Sequence, residues 1–162
     1  MSILTQKTTK TVGFSSILAT FALIFVISLQ SSCAKSNACD LKASYTNDAN
    51  AAQNTAMVAF CTTNNIIYST HPSGILYQVI TPGAASKPNL CETISMTYTG
   101  TLLNGTKFDA GTISYSLSQL IVGWQIAVPL IGKGGRIKVV LPSSLGYGPQ
   151  ASGPIPANSP LY

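Results

Sequence analysis

Charge is scarce in this chain. Only 8% of its 162 residues are Asp, Glu, Lys or Arg, well below the usual share for a soluble domain. The four acids form no pair within a recognisable acid/base motif, so two-carboxylate chemistry has no basis here. Histidine occurs once, as His71, and opens the turn-like His71-Pro72-Ser73-Gly74. No Ser/His/acid set can be assembled around it. Four cysteines include no Cys-x-x-Cys spacing, which with a single histidine argues against zinc. No metal and no cofactor are expected. The run Gly132-Lys133-Gly134-Gly135-Arg136 lacks the spacing and terminal Ser/Thr of a phosphate loop and reads as a turn. The basic residues give a net charge of +5 but are scattered, which argues against nucleic acid as a partner. Internal repeats are absent.

What the chain does have begins with an apolar block. Lys7 and Lys10 precede residues 17–29, which carry no charge, and Ser31-Ser32 then lead into Cys33. Positive, apolar, small is the order of a secretory signal. The cysteine after the small pair resembles a bacterial lipoprotein signal, in which Cys33 is lipidated and becomes the new N-terminus. Gln30 departs from the leucine usual there. Two other readings stay open: an uncleaved anchor over residues 12–29, just long enough to span a bilayer, and simple secretion. All three place the rest of the chain outside the cytoplasm. An oxidising compartment favours a disulfide, and Cys39, Cys61 and Cys91 allow three pairings among which spacing does not choose. The expectation is Cys39 with Cys91, because Cys39 lies on a tether that gains from being fixed, with Cys61 left packed.

Residues 34–45 are small and polar and read as that tether. Asn47 or Asp48 can cap a helix running to about Thr63. Ala52, Ala56, Ala59, Phe60 and Thr63 share its predicted docking face. Residues 75–80 read as a strand apolar on both faces and so covered on both sides. Residues 93–102 are the clearest strand, with Ile94, Met96 and Tyr98 turned inward and Thr93, Ser95, Thr97 and Thr99 outward. Asn104-Gly105 is a hairpin signal. The return strand starts at residues 106–109 and resumes at 113–117 after a loop at Gly111. Trp124 opens a short apolar turn limited by Pro129. A glycine-rich turn and a strand with Ile137, Val139 and Leu141 on one face follow, then the rim-like Leu145-Gly146-Tyr147-Gly148. This is an α+β class, and large aromatics at both ends of such a layout enclose a shallow apolar pocket. Tyr98, Phe108, Tyr115, Ile121, Trp124 and Tyr147 surround a lone acid, Asp109. An ordinary aromatic core is the competing reading.

Tyr98-Thr99-Gly100, Asn104-Gly105-Thr106-Lys107-Phe108-Asp109, Val122-Gly123-Trp124, Leu141-Pro142, Leu145-Gly146-Tyr147-Gly148 and Ile155-Pro156 stand in one order. In that order they resemble the FKBP-type peptidyl-prolyl isomerases, the macrolide-binding immunophilins, over residues 74–162. With the signal, helical lead-in and cysteines, the chain is similar to lipid-anchored members from Bacteroidetes-like bacteria. The resemblance implies a twisted antiparallel sheet wrapped around one short helix. It puts Trp124 on a pocket floor, with Tyr98, Phe108, Tyr115, Leu120, Ile121, Tyr147 and Ile155 as walls and Asp109 as the polar group beside a bound peptide. Tyr147 and the Ile155 backbone would donate to substrate carbonyls. The implied division is a signal over residues 1–32, a tether and short helix over 33–73, and the isomerase domain over 74–162. The family continues past this point with a final strand carrying phenylalanine, which is missing as the chain is written: either the sequence is a truncated piece or the domain is incomplete.

The activity implied is cis/trans isomerisation of X-Pro bonds, with proline-containing peptides or unfolded proteins, and macrolides, as partners. A non-catalytic peptide-binding lipoprotein of the same fold, and an inactive relative, are the alternatives. The missing chemistry of nucleophile and metal suits the isomerase, since only a twisted amide has to be bound.

Overall fold

The computed structural model describes residues 51–162. The expected signal segment, Cys33, Cys39 and the proposed caps Asn47 and Asp48 lie outside the described residues. In chain order the elements are helix α1 (Ala51–Thr63), strands β1 (Ser69–Thr70), β2 (Leu76–Thr81), β3 (Thr93–Thr101) and β4 (Lys107–Ser116), helix α2 (Val122–Ala127) and strand β5 (Arg136–Val140). Single 3-10 turns cover Leu117–Gln119, Val128–Leu130 and Ser143–Leu145. The strands form two antiparallel sheets, β1-β2-β5 and the hairpin β3-β4. Leu161 joins them, bridging to Leu102 on one side and Leu141 on the other. This is the antiparallel sheet with a short internal helix that the sequence implies.

Strand alternation sorts neighbouring residues onto opposite faces, and that builds two cores from one sheet. Ile75, Leu141 and Leu161 pack with Ile126, Leu145 and Ile155, and against them lie Tyr77, Phe108, Trp124 and Val139. The next residue along each strand, Leu76 and Val140, turns the other way and meets Met57, Cys61 and Ile66. Tyr162 joins this second core through a tilted ring contact with Phe60 at 5.0 Å. Thus α1 covers one face of the β2-β5 sheet and α2 the other.

Three expectations need correction. The docking face of α1 is Met57 and Cys61, both fully buried. Ala52, Ala56, Ala59 and Thr63 are exposed, because the larger side chains bury more apolar area than an alanine stripe. β2 is covered on both faces only at its start; Val79 and Ile80 are exposed, since the strand runs on beyond the reach of both helices. β4 has no loop at Gly111, which pairs with Tyr98 inside one continuous strand. An extended glycine keeps its place in a ladder when the partner strand supplies the hydrogen bonds. The glycine-rich turn is explained by close approach. A Cβ at Gly132 would lie 2.0 Å from the Ala84 carbonyl oxygen, and Ala84 N–H donates to the Lys133 carbonyl at 2.9 Å.

Candidate functional site

The β3-β4 ladder sets the site. Gly100 pairs with Asp109 and Thr101 with Lys107, so Phe108 is an extra residue with no partner opposite it. A bulge of this kind breaks alternation and re-aims a side chain. As a result Phe108 and Asp109, adjacent in sequence, both line the same cavity. The Phe108 ring lies over Gly100, where a Cβ would come within 2.5 Å of it. Only glycine leaves room for this ring.

Tyr98 is the diagonal neighbour of Asp109 across the ladder, within reach of a long side chain. Its hydroxyl donates a hydrogen bond to Asp109 Oδ2. The other carboxylate oxygen accepts from Ala110 N–H at 2.9 Å. Hydrogen bonding to the carboxylate pushes the Tyr98 phenol up to about 12, with burial and the Asp109 charge adding to it. Tyr98 therefore remains a donor at any physiological pH, and the carboxylate stays aimed. Edge-on to the Tyr98 ring stands Trp124, with centroids 4.9 Å apart at 73°, a favoured aromatic geometry.

Trp124 is delivered by α2. Leu120 ends the preceding 3-10 turn and Ile121 is the N-cap of α2. Gln125 pins this corner, its Nε2 donating to Leu120 O at 2.7 Å and Ser118 O at 3.3 Å. Sequence reasoning passed over Gln125; its signal was a lone amide in an otherwise apolar helix. On the far side, the 3-10 turn Ser143–Leu145 leads into Tyr147, which is 40% exposed at the rim.

The structure brings Tyr98, Phe108, Asp109, Tyr115, Leu120, Ile121, Trp124 and Tyr147 to one cavity. Tyr115 lies on its outer margin and is 53% exposed. Ile155 is placed otherwise. It is 4% exposed and packs in the core beneath the rim. Its N–H donates to Ser152 O at 3.0 Å and its carbonyl accepts from Ser152 N–H at 2.9 Å. A tight turn has used both backbone groups, so the Ile155 N–H is not the substrate donor expected from sequence.

The cavity measures about 1700 Å³, larger than the few hundred to about 1,000 Å³ of an ordinary ligand site. The excess has a simple origin. β3 pairs with β4 on one edge and β5 with β2 on one edge. Among the described residues their other edges meet only Leu161 and Tyr162, at one end. The cavity continues along both open edges, from Thr93 to Thr101 and from Arg136 to Val139. The aromatic site is the end of this space nearest Trp124. Among the described residues no three His, Cys, Asp or Glu cluster as a metal site.

Of the described cysteines, Cys61 is buried and free. Burial pushes its thiol up. Cys91 is disulfide-bonded, and its partner lies outside the described residues.

Residues 84–162 match the family model described as FKBP-type peptidyl-prolyl cis-trans isomerase. The chain is 42% identical over 94 residues to an FKBP-type peptidyl-prolyl cis-trans isomerase, FkpA, of Aeromonas hydrophila, covering 55% of this chain and 35% of that protein. It is 41% identical over 96 residues to the outer membrane protein MIP of Legionella longbeachae, covering 56% and 41% respectively. Its structure resembles the crystal structure of FkpA from Escherichia coli with a TM-score of 0.61 and 33% identity, over 72% of this chain and 56% of that one. The chain thus spans between a third and a half of the length of these curated relatives.

Proposed function

We propose, from the premise that this chain belongs to the FKBP-type peptidyl-prolyl cis-trans isomerase family through residues 84–162, that it isomerises X-Pro bonds of proteins outside the cytoplasm. The observation that carries the reading is the set of Trp124, Tyr98, Phe108 and Tyr147 around one oriented carboxylate, Asp109. The barrier to rotation, roughly 18–20 kcal/mol, comes from amide resonance that is lost as the bond twists. No bond other than this rotation changes, so neither nucleophile nor metal is required. A site that binds the twisted, less polar amide better than the planar one lowers the barrier. Aromatic walls favour the form needing less hydration. Asp109, held from two sides, presents fixed charge beside the peptide without reorganising. The apolar rim suits an apolar residue before proline, and macrolides are proposed as ligands of the same walls.

The compartment is supported by Cys91, disulfide-bonded while Cys61 stays buried and free, since such bridges persist in oxidising surroundings. The relative named as an outer membrane protein agrees with this. Lipid attachment at Cys33, and Cys39 as the partner of Cys91, complete the proposal.

A prolyl isomerisation assay with paired thermal melts tests it. Asp109→Ala should slow isomerisation with little change in melting temperature, because Asp109 is exposed and its role is local. Trp124→Ala should damage both, since Trp124 packs half-buried against the core, and about 3–5 kcal/mol, the cost of truncating a fully buried large aromatic, is the upper bound. A folded wild-type protein that gives no acceleration overturns the enzyme and leaves a peptide-binding module.

A further inference from the structure

We propose that α1 positions the pocket rim through Gln53, so that a residue outside the family-matched segment sets where Tyr147 stands. Gln53 lies one turn before Met57 and two before Cys61, on the face of α1 that docks. Its side chain reaches the loop of residues 143–158 at both feet. At one foot Oε1 accepts from Ser143 N–H at 3.1 Å, and Nε2 donates to Ser143 Oγ at 2.9 Å. At the other foot Nε2 donates to the Asn158 carbonyl at 3.2 Å. Ser143 N–H can only donate and the Asn158 carbonyl can only accept, so the two backbone groups dictate which way the amide faces.

From these feet the restraint passes to the rim. The Ser143 carbonyl accepts from Gly146 N–H at 2.9 Å and from Gly148 N–H at 2.8 Å, bracketing Tyr147. The Gly148 carbonyl in turn accepts from Asn158 N–H at 2.8 Å. Asn158 sits at φ 57, a left-handed conformation held by its surroundings. Tyr147 is therefore flanked by backbone groups tied to Ser143 and Asn158, and Gln53 joins those two to a helix locked into the second core. Ser143 is itself buried, so its N–H needs an acceptor, and Gln53 supplies it.

The consequence for catalysis rests on the isomerase reading; the consequence for the loop does not. Amide hydrogen exchange of Gly146 and Gly148, followed by NMR in Gln53→Ala, should quicken by about five- to tenfold, the equivalent of one lost hydrogen bond. The kcat/KM for an apolar-Pro peptide should fall by a similar factor, carried by KM, because Tyr147 stands at the rim. Gln53→Glu keeps the acceptor for Ser143 N–H but sets a carboxylate oxygen against the Asn158 carbonyl, so it should restore only part of both. Val58→Ala trims a partly buried residue of the same helix and controls for general loosening of α1. Unchanged exchange in Gln53→Ala, or the same quickening in Val58→Ala, overturns the proposal. Inactive wild type with quickened exchange in Gln53→Ala overturns the isomerase and leaves the positioning role standing.

Discussion

Tyr98 and Asp109 show how a few atoms decide what a shallow pocket presents. The phenol ordinarily titrates near 10.0 and is pushed up to about 12 by its bond to the carboxylate. The folded value is the higher one, so the bond's contribution is complete below the unfolded value. It is lost as pH rises through the folded one. Alkaline titration followed by phenolate absorbance should show one tyrosine ionising near 12, and that step should vanish in Tyr98→Phe. A titration in which Tyr98→Phe removes a step near 10 instead contradicts the bond. Phe108 was legible as an aromatic, but not its direction. Strict alternation sends Phe108 and Asp109 to opposite faces, and only the bulge opposite Gly100 and Thr101 brings them together. Ile155 illustrates the reverse error. Its residue type suits a pocket wall, while its backbone is closed in a turn with Ser152.

Among the elements, β3 and β4 were the most readable, since outward threonines and inward apolar residues alternate along β3. The loop expected at Gly111 was not found, because propensity in a strand yields to the ladder on either side. α1 was readable as a helix, but its docking face was not. An alanine-rich sequence offers several weak stripes, and contact with Leu76 and Val140 selects the one with Met57 and Cys61. The open edges of β3 and β5 belong to this scale too. Leu161 fills the space between the two sheets as a single strand would, and Thr101 exchanges hydrogen bonds of 2.7 and 2.8 Å with Tyr162.

For the whole molecule, the order of aromatic, glycine and proline pieces carried the family, and the first segment carries only a proposed address. A lipid-modified Cys33 predicts that the protein partitions with membranes. It also predicts that mass spectrometry of the extracted protein shows an acylated N-terminal cysteine peptide. An intact Met1, or an unmodified Cys33, contradicts the anchor. The two cores are bound together at this scale. β2 and β5 give consecutive residues to opposite clusters, so removing α1 would expose Leu76 and Val140 directly behind Ile75 and Leu141.

Residue type, order and local periodicity were enough to determine the class of fold, the hairpin at Asn104-Gly105 and the aromatic group around Asp109. These follow from chemistry that each short stretch carries by itself. Tertiary structure alone decided which face of α1 is buried, that Phe108 and Asp109 share one side, that Ile155 lies beneath the rim, and that Gln53 reaches Ser143. The last contact joins residues 90 positions apart, and no local pattern encodes it. It exists because the β2-β5 sheet brings α1 and the rim loop to the same edge, where a buried N–H needs an acceptor.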